Sequence, residues 1–308
     1  MMSMRTVELY WSHICVMHNF EKEHLARARE RLARQGIDLR VTCFGMGYGC
    51  HMASYLHDED AVLPDIVVSA DLEVFENARI AAKLGPCHSC ASWMELKNTP
   101  IVRASRRGDD LLPFVAIPMT AYGSVSCEGA SLLETVDQCR VSFGGIDNSA
   151  AKTVVKAVWE RYGEEAARRV LGECRVTGMP IEAFQAARMG AVDVSVAPSL
   201  YGLRADGVRR VHGTFAEGPL LLPTYFCARK SVDEETARAV RAEIMTPEAF
   251  DFYARNADLV ACCADASVES SQEHAERVWA VDQAFALGLG PRFYDVYCDV
   301  LEGAENLS

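Results

Sequence analysis

Short apolar runs of strand character alternate with amphipathic runs of helical character along the chain, and this admits little besides an α/β protein with a mainly parallel sheet. Val7 to Trp11 is predicted as a first strand. A helix follows over Phe20 to Gln35: Asn19 is positioned to cap it, Glu21 and Glu23 fall in its first turn, Leu25, Ala28 and Leu32 share one face, and Gly36 ends it. Leu39 to Phe44 is the second strand. The loop Gly45-Met46-Gly47-Tyr48-Gly49 leads into a short helix near Cys50 to His57, and Pro64-Asp65 introduces a third strand, Ile66 to Ser69.

The pattern breaks after Lys83. Gly85 to Arg107 has no clear periodicity and reads as a connector, after which Pro113 to Tyr122 is a strand, Gly129 to Gln138 a helix and Arg140 to Phe143 a short strand ending at Gly144-Gly145. Asn148 or Ser149 caps a helix to Tyr162, helices follow over Glu164 to Leu171 and Pro180 to Met189, and Val192 to Ala197 is the strand they lead to. Leu220 to Ala228 is a long strand, Asp233 to Ile244 a helix, and Thr246-Pro247-Glu248 a strong helix start. Two helices, around Glu273 to Phe285 and Arg292 to Glu302, close the chain. At 308 residues the chain is long for one compact core and suits two lobes.

Charge and composition exclude several classes. With 31 Lys and Arg against 43 Asp and Glu, the net charge is −12 and the basic residues form no long run, so nucleic acid is not an expected partner. No apolar stretch reaches the roughly 18 residues that span a bilayer, so membrane insertion is not expected. The first apolar stretch carries Glu8, Ser12 and His13 and is no secretory h-region. The expectation is a cytosolic protein, or a periplasmic or extracellular one whose leader was removed. The 12 cysteines need no disulfide role in a chain with this much core, and Cys43, Cys139, Cys227 and Cys298 are expected among apolar core residues.

The order of motifs resembles the type II periplasmic solute-binding proteins of ABC transporters, over about Val7 to Val268. The residues that carry it are Trp11-Ser12-His13, Asp65 to Asp71, Ile117 to Gly123, Phe143 to Ala150, Met189 to Val194, Glu217-Gly218-Pro219 through Arg229-Lys230, and Ile244 to Phe250. Within that family the ferric-iron and small-anion binders are most similar, although the adjacent Tyr-Tyr pair of many ferric binders is missing. The resemblance implies a two-lobe fold with a mainly parallel sheet in each lobe and a hinge of crossover strands, lobe one being 1–115 with 231–308 and lobe two 116–230. It also implies a non-enzymatic protein that captures a small polar or anionic ligand, metal-containing or not, in an interlobe cleft and works with an ABC permease.

In such a fold the ligand meets strand C-terminal ends and helix N-termini, where backbone N–H groups point outward. The expected ligand-binding residues are Ser12, His13, Tyr48, Ser69, Asp71, Tyr122, Gly144, Gly145, Asn148, Ser149, Asp193 and Tyr201. Gly144-Gly145 before a helix start suits an oxyanion, though Asn148 or Ser149 could simply cap the helix. The Gly45 loop lacks the Gly-x-Gly-x-x-Gly spacing, which disfavours a nucleotide. No cofactor is specified beyond a metal ion: His13, Cys15, Cys50 and His51 stand at the tips of the first two strands and are the ligand types of Zn²⁺ or Cu⁺. Cys87-His88-Ser89-Cys90 is an isolated Cys-x-x-Cys with a structural role as its simpler reading. No catalytic motif of hydrolases, metalloproteases or kinases appears. A cytosolic ligand sensor or sequestering protein on the same fold, or a thiol and histidine metal-binding protein, are the alternatives.

Overall fold

The computed structural model describes residues 4–45 and 47–305. It begins with β1 (Arg5–Ser12), α1 (His18–Arg34), β2 (Ile37–Phe44), α2 (Met52–His57) and β3 (Ile66–Ser69). The short helices α3 (Glu73–Glu76), α4 (Ala78–Leu84) and α5 (Pro100–Ala104) lead to β4 (Leu112–Gly123), α6 (Leu132–Gln138), β5 (Val141–Gly144), α7 (Ser149–Tyr162) and α8 (Glu164–Glu173). Then come β6 (Arg175–Thr177), α9 (Pro180–Met189), β7 (Val194–Pro198), β8 (Val211–Gly213) and β9 (Leu220–Ala228). The chain ends with α10 (Glu234–Ile244), α11 (Pro247–Ala257), β10 (Val260–Ala261) and α12 (Gln283–Glu305). No helix among the described residues is long and apolar enough to cross a membrane.

The chain divides into two compact units, 1–116 with 223–273 and 117–222 with 274–308. In the first, the strand order is β2-β1-β3-β9-β4, with β10 on β4. Strands β1, β2 and β3 are parallel and β9 runs against β3. In the second, the order is β4-β7-β5-β6, with β5 parallel to both β6 and β7 and with β7 and β8 antiparallel to β4. Strands β4 and β9 each carry the chain from one unit into the other, which is the crossover expected from the sequence.

Each unit has its own aromatic core. In the first, Phe114 lies against Trp11 at 5.8 Å, Phe250 at 5.2 Å and Tyr253 at 5.3 Å. In the second, Phe184 packs on Tyr122 at 4.7 Å and Tyr201 at 4.6 Å. Burying each such ring contributes about 2 to 3 kcal/mol, enough to specify which face of a strand turns inward.

Three expectations are corrected. Asn19 does not cap α1: a 3₁₀ turn over Cys15–Met17 runs straight into the helix, placing Asn19 inside its first turn. The helix expected from Glu273 does not form. Glu273 is buried and ion-paired with Lys97 at 2.8 Å, so it anchors an irregular segment, and the helix starts only where Asp282 Oδ1 accepts the Phe285 N–H. The two expected terminal helices then meet at a kink, where Gly290 takes φ 51 before Pro291. Finally, residues 274–308 group with the second unit, not with lobe one. Trp279 bridges to Leu220, the Asp282 N–H donates to Glu160, and the Tyr297 hydroxyl donates to the Ile146 carbonyl.

Candidate functional site

The parallel strands β1, β2 and β3 bring their C-terminal ends to one edge of the first unit, with Ser12 opposite Phe44 and Trp11 opposite both Cys43 and Val68. The His13 N–H donates to the Phe44 carbonyl at 3.0 Å, extending the ladder one residue past the strand. Gly45 continues in the left-handed region, φ 104, where a side chain would be strained. Ser69 Oγ donates to Ser12 Oγ at 2.9 Å, the Asp71 N–H donates to Ser69 Oγ at 2.8 Å, and Asp71 Oδ2 accepts the Ala53 N–H in the first turn of α2 at 3.0 Å. Ser12, Ser69 and Asp71 therefore form one buried chain of hydrogen bonds.

Beside them lies a second buried network. His13 Nδ1 meets Glu21 Oε2 at 2.5 Å, the same oxygen accepts the Ile14 N–H at 3.2 Å, and the Tyr253 hydroxyl donates to Glu21 Oε1 at 2.7 Å. Burial alone would lower the His13 pKa, but the Cys43 thiol and the Glu21 carboxylate outweigh it and raise the pKa to about 9. His13 is thus an imidazolium at neutral pH, paired with a carboxylate in a dry environment. The Tyr48 ring stacks on it at 5.3 Å and 7°, and the His18 ring lies 4.7 Å away on α1. Burial and the adjacent Cys43 push the Tyr48 hydroxyl up to about 12, while burial and the charge on His13 lower His18, with Lys22 adding to the effect. Burial and Glu21 raise Tyr253 well above the usual phenol range.

His13 Nε2 is buried with no aligned hydrogen-bond partner. The Cys43 thiol is close enough to favour the charged ring but forms no well-aligned bond to it. A donor therefore stands unused at the strand ends, held in place from behind by Glu21.

In the second unit the expected ligand-binding residues have other work. The Gly145 and Ile146 N–H groups both donate to the Thr177 carbonyl, at 2.9 and 3.2 Å, so Gly145 offers no free donor. Gly144 is packed so tightly that a Cβ would lie 2.2 Å from the Met179 carbonyl oxygen. Asn148 caps α7, its Oδ1 accepting the Ala150 N–H at 2.8 Å, and Ser149 is buried at the first helical position. Tyr122 and Tyr201 turn their rings into the core around Phe184 instead of presenting hydroxyls from loops. Asp193 precedes β7 at the opposite strand end from Gly144, where it accepts from the Arg140 backbone N–H, Nε and Nη2. That contact holds its carboxyl at about 2.

The set His13, Cys15, Cys50 and His51 is not drawn together among the described residues, where no three His, Cys, Asp or Glu side chains are grouped to hold a metal ion. The Cys15 side chain lies outside the described residues, Cys50 is exposed, and the His13 ring is committed to Glu21. Cys87 faces another thiol. Its thiol pairs with that of Cys227, and Cys90 is buried, donating to the Asp110 carbonyl at 2.8 Å. Eleven of the cysteines are free thiols among the described residues. Cys298 is exposed rather than in the core.

Sequence reading missed Glu21, Tyr253 and Cys43 as members of the site. Glu21 looks like a first-turn acid suited to the helix dipole. Tyr253 is 232 positions away in the chain and gives no local sign of its partner.

No protein-family model matches the chain, and no curated protein matches it. Solved structures do. Iron-bound HitA from Pseudomonas aeruginosa superposes with a TM-score of 0.65 at 16% identity, over 96% of this chain and 99% of that one. The periplasmic binding protein AfuA from Actinobacillus pleuropneumoniae, with fructose-6-phosphate bound, gives 0.62 at 11% identity over 96% and 98%. A periplasmic thiamin binding protein gives 0.64 at 13% identity over 96% of each chain. The chain has the fold of the periplasmic binding proteins, as its resemblance to the type II class implies. Those three are described as iron-bound, fructose-6-phosphate-bound and thiamin-binding, so the fold alone does not select a ligand.

Proposed function

We propose that this chain is a solute-binding protein of the ABC-transporter type that captures a small polar or anionic ligand, with the strand ends of the first unit as a wall of its site. The observation that carries this reading is the buried His13 ring paired with Glu21. Glu21 fixes its Nδ1 side and its Nε2 side is left without an aligned partner, so a ligand oxygen arriving there meets a charged, pre-positioned donor. The Ser12–Ser69–Asp71 chain of hydrogen bonds fixes the neighbouring strand ends, and the net charge of −12 means that local donors, not long-range attraction, would supply the affinity. The reading includes a non-enzymatic role, export from the cytoplasm and an ABC permease as partner.

Native mass spectrometry of the freshly purified protein identifies a co-purified small molecule, and calorimetry with that molecule, or with inorganic phosphate and simple carboxylates if none is found, measures affinity. His13→Asn should weaken binding at least about tenfold, near 1.4 kcal/mol. Unchanged affinity in a folded His13→Asn protein would remove His13 from the site. Finding no binding to any small molecule would remove the reading itself.

A further inference from the structure

The three most exposed large apolar side chains among the described residues all belong to the second unit: Val208 is 87% exposed, Met189 83% and Leu203 65%. Met189 ends α9, where Gly190 turns into the left-handed region. Arg210 ties that helix end to the loop before β8, its Nη2 donating to the Arg188 carbonyl at 2.7 Å. The loop is drawn tight by Asp206, whose Oδ1 accepts the N–H groups of Val208, Arg209 and Arg210 at 3.0, 2.7 and 2.8 Å, so Val208 is carried at its tip. Each apolar residue is next in sequence to an arginine: Arg188-Met189, Leu203-Arg204 and Val208-Arg209. Over 185–191 and 203–211 four arginines stand against the single acid Asp206, a local balance of 4 − 1 = +3 on a chain of net charge −12. Arg204 lies over the rings of Phe184 and Tyr201 at 5.7 and 5.8 Å, and Arg210 donates to the carbonyls of Arg188 and Arg209, so both keep their charge. Arg188 and Arg209 are exposed.

We propose that this patch docks the second unit on the surface of an anionic phospholipid bilayer. At such an interface an apolar side chain gains by entering the boundary between headgroups and acyl chains, while an arginine beside it stays at the depth of the phosphates and bonds their oxygens in pairs. Three apolar points standing out singly, each next to a guanidinium, suit a fluid interface that moulds itself around them. Charge complementarity selects the lipid. Charges act over roughly 8 Å at physiological salt, so the headgroups meet the local +3 and not the −12 of the whole chain. With only three apolar side chains to bury, the attachment is shallow and reversible. The inference stands independently of the ligand-binding reading, because it uses none of the residues at the strand ends of the first unit and needs no bound solute.

The test sediments the whole protein with extruded vesicles. Phosphatidylcholine vesicles that contain phosphatidylglycerol should bind the protein at least about tenfold more tightly than vesicles of phosphatidylcholine alone, at about 0.1 M salt. Raising the salt to about 1 M, where screening shortens to about 3 Å, should remove most of that difference. The double variant Arg188→Ala with Arg209→Ala should weaken binding at least about tenfold, and Met189→Asp with Val208→Asp should abolish it. Arg34→Ala, at an exposed position of α1 in the first unit, should change nothing. Equal binding to the two kinds of vesicle, or no binding to the anionic ones, overturns the proposal without recourse to any variant. A Met189→Asp, Val208→Asp protein that folds, by circular dichroism, and keeps its vesicle binding overturns it equally. An acidic protein segment is the rival occupant: if polyglutamate binds through Arg188 and Arg209 while anionic vesicles do not bind, the patch serves a protein and the lipid assignment falls.

Discussion

The strand ends of the two units are built alike and used differently. In the first unit, the tips of β1 and β3 carry Ser12, His13 and Ser69, and behind them Glu21 and Tyr253 complete a network that leaves one charged donor, His13 Nε2, without an aligned partner. In the second unit, the tip of β5 leads through Gly144 and Gly145 into the capped start of α7, and the polar groups read there are consumed: Gly145 by Thr177, Asn148 by Ala150, and Asp193, at the other strand end, by Arg140. The contrast teaches that a polar residue at a strand end indicates a site only when the local fold has not already satisfied it. Helix caps and ladder ends absorb Asn, Ser, Asp and glycine N–H groups routinely.

The largest test of this contrast removes the anchor of the first network. Glu21→Ala leaves a buried imidazolium and the Tyr253 hydroxyl without their partner, and should destabilise the protein by about 4 kcal/mol in urea denaturation. A loss below about 1 kcal/mol would mean that the pair is no more than a surface-type contact. Gly144→Ala probes the second unit, because its Cβ would sit 2.2 Å from a backbone carbonyl that cannot swing aside. It should cost about 3 kcal/mol through overpacking. If calorimetry shows the folded variant losing ligand affinity while its stability is unchanged, Gly144 belongs to a binding surface and the contrast is broken.

The pH dependence of stability sharpens the first half. The folded pKa of His13, about 9, lies above the unfolded value near 6.5, so the folded state binds the proton more tightly. Its contribution is fully present below pH 6.5 and is lost as pH rises through about 9, on the order of 2 kcal/mol. Denaturation curves at pH 6 and pH 9.5 should show that loss in the parent and a much smaller one in Glu21→Gln. Equal slopes in both proteins would mean that Glu21 does not hold the proton on His13. The smallest effect belongs to the cap of α7: Asn148→Ala should lower stability by about 1 kcal/mol and leave ligand affinity untouched. A tenfold weaker affinity instead would return Asn148 to the site.

Much of the architecture is legible in the sequence. Pro180 to Met189, Ile66 to Ser69 and Leu220 to Ala228 have in the structure the boundaries the sequence predicts, because proline starts, glycine ends and uninterrupted apolar runs are local signals. The short strands β6, β8 and β10 leave no signal in the sequence, being two or three residues long and defined by their neighbours rather than by their own pattern. The misplaced helix at Glu273 has the same origin, since helical composition there yields to a buried ion pair with Lys97.

For the site, the sequence by itself determined the α/β alternation and put Ser12, His13 and Ser69 at strand ends, since the pleat and the βα order require it. Only the tertiary structure decided which of the expected residues remain available. Tyr122 and Tyr201 could have faced solvent or the core with equal local propensity, and the packing around Phe184 turned them inward. Glu21 could have been a solvated first-turn acid, and the approach of α11 with Tyr253 sealed it against His13 instead. The reason is that hydrogen-bond satisfaction and burial are set by what packs against a residue from far along the chain, and single-sequence spacing carries no record of those contacts.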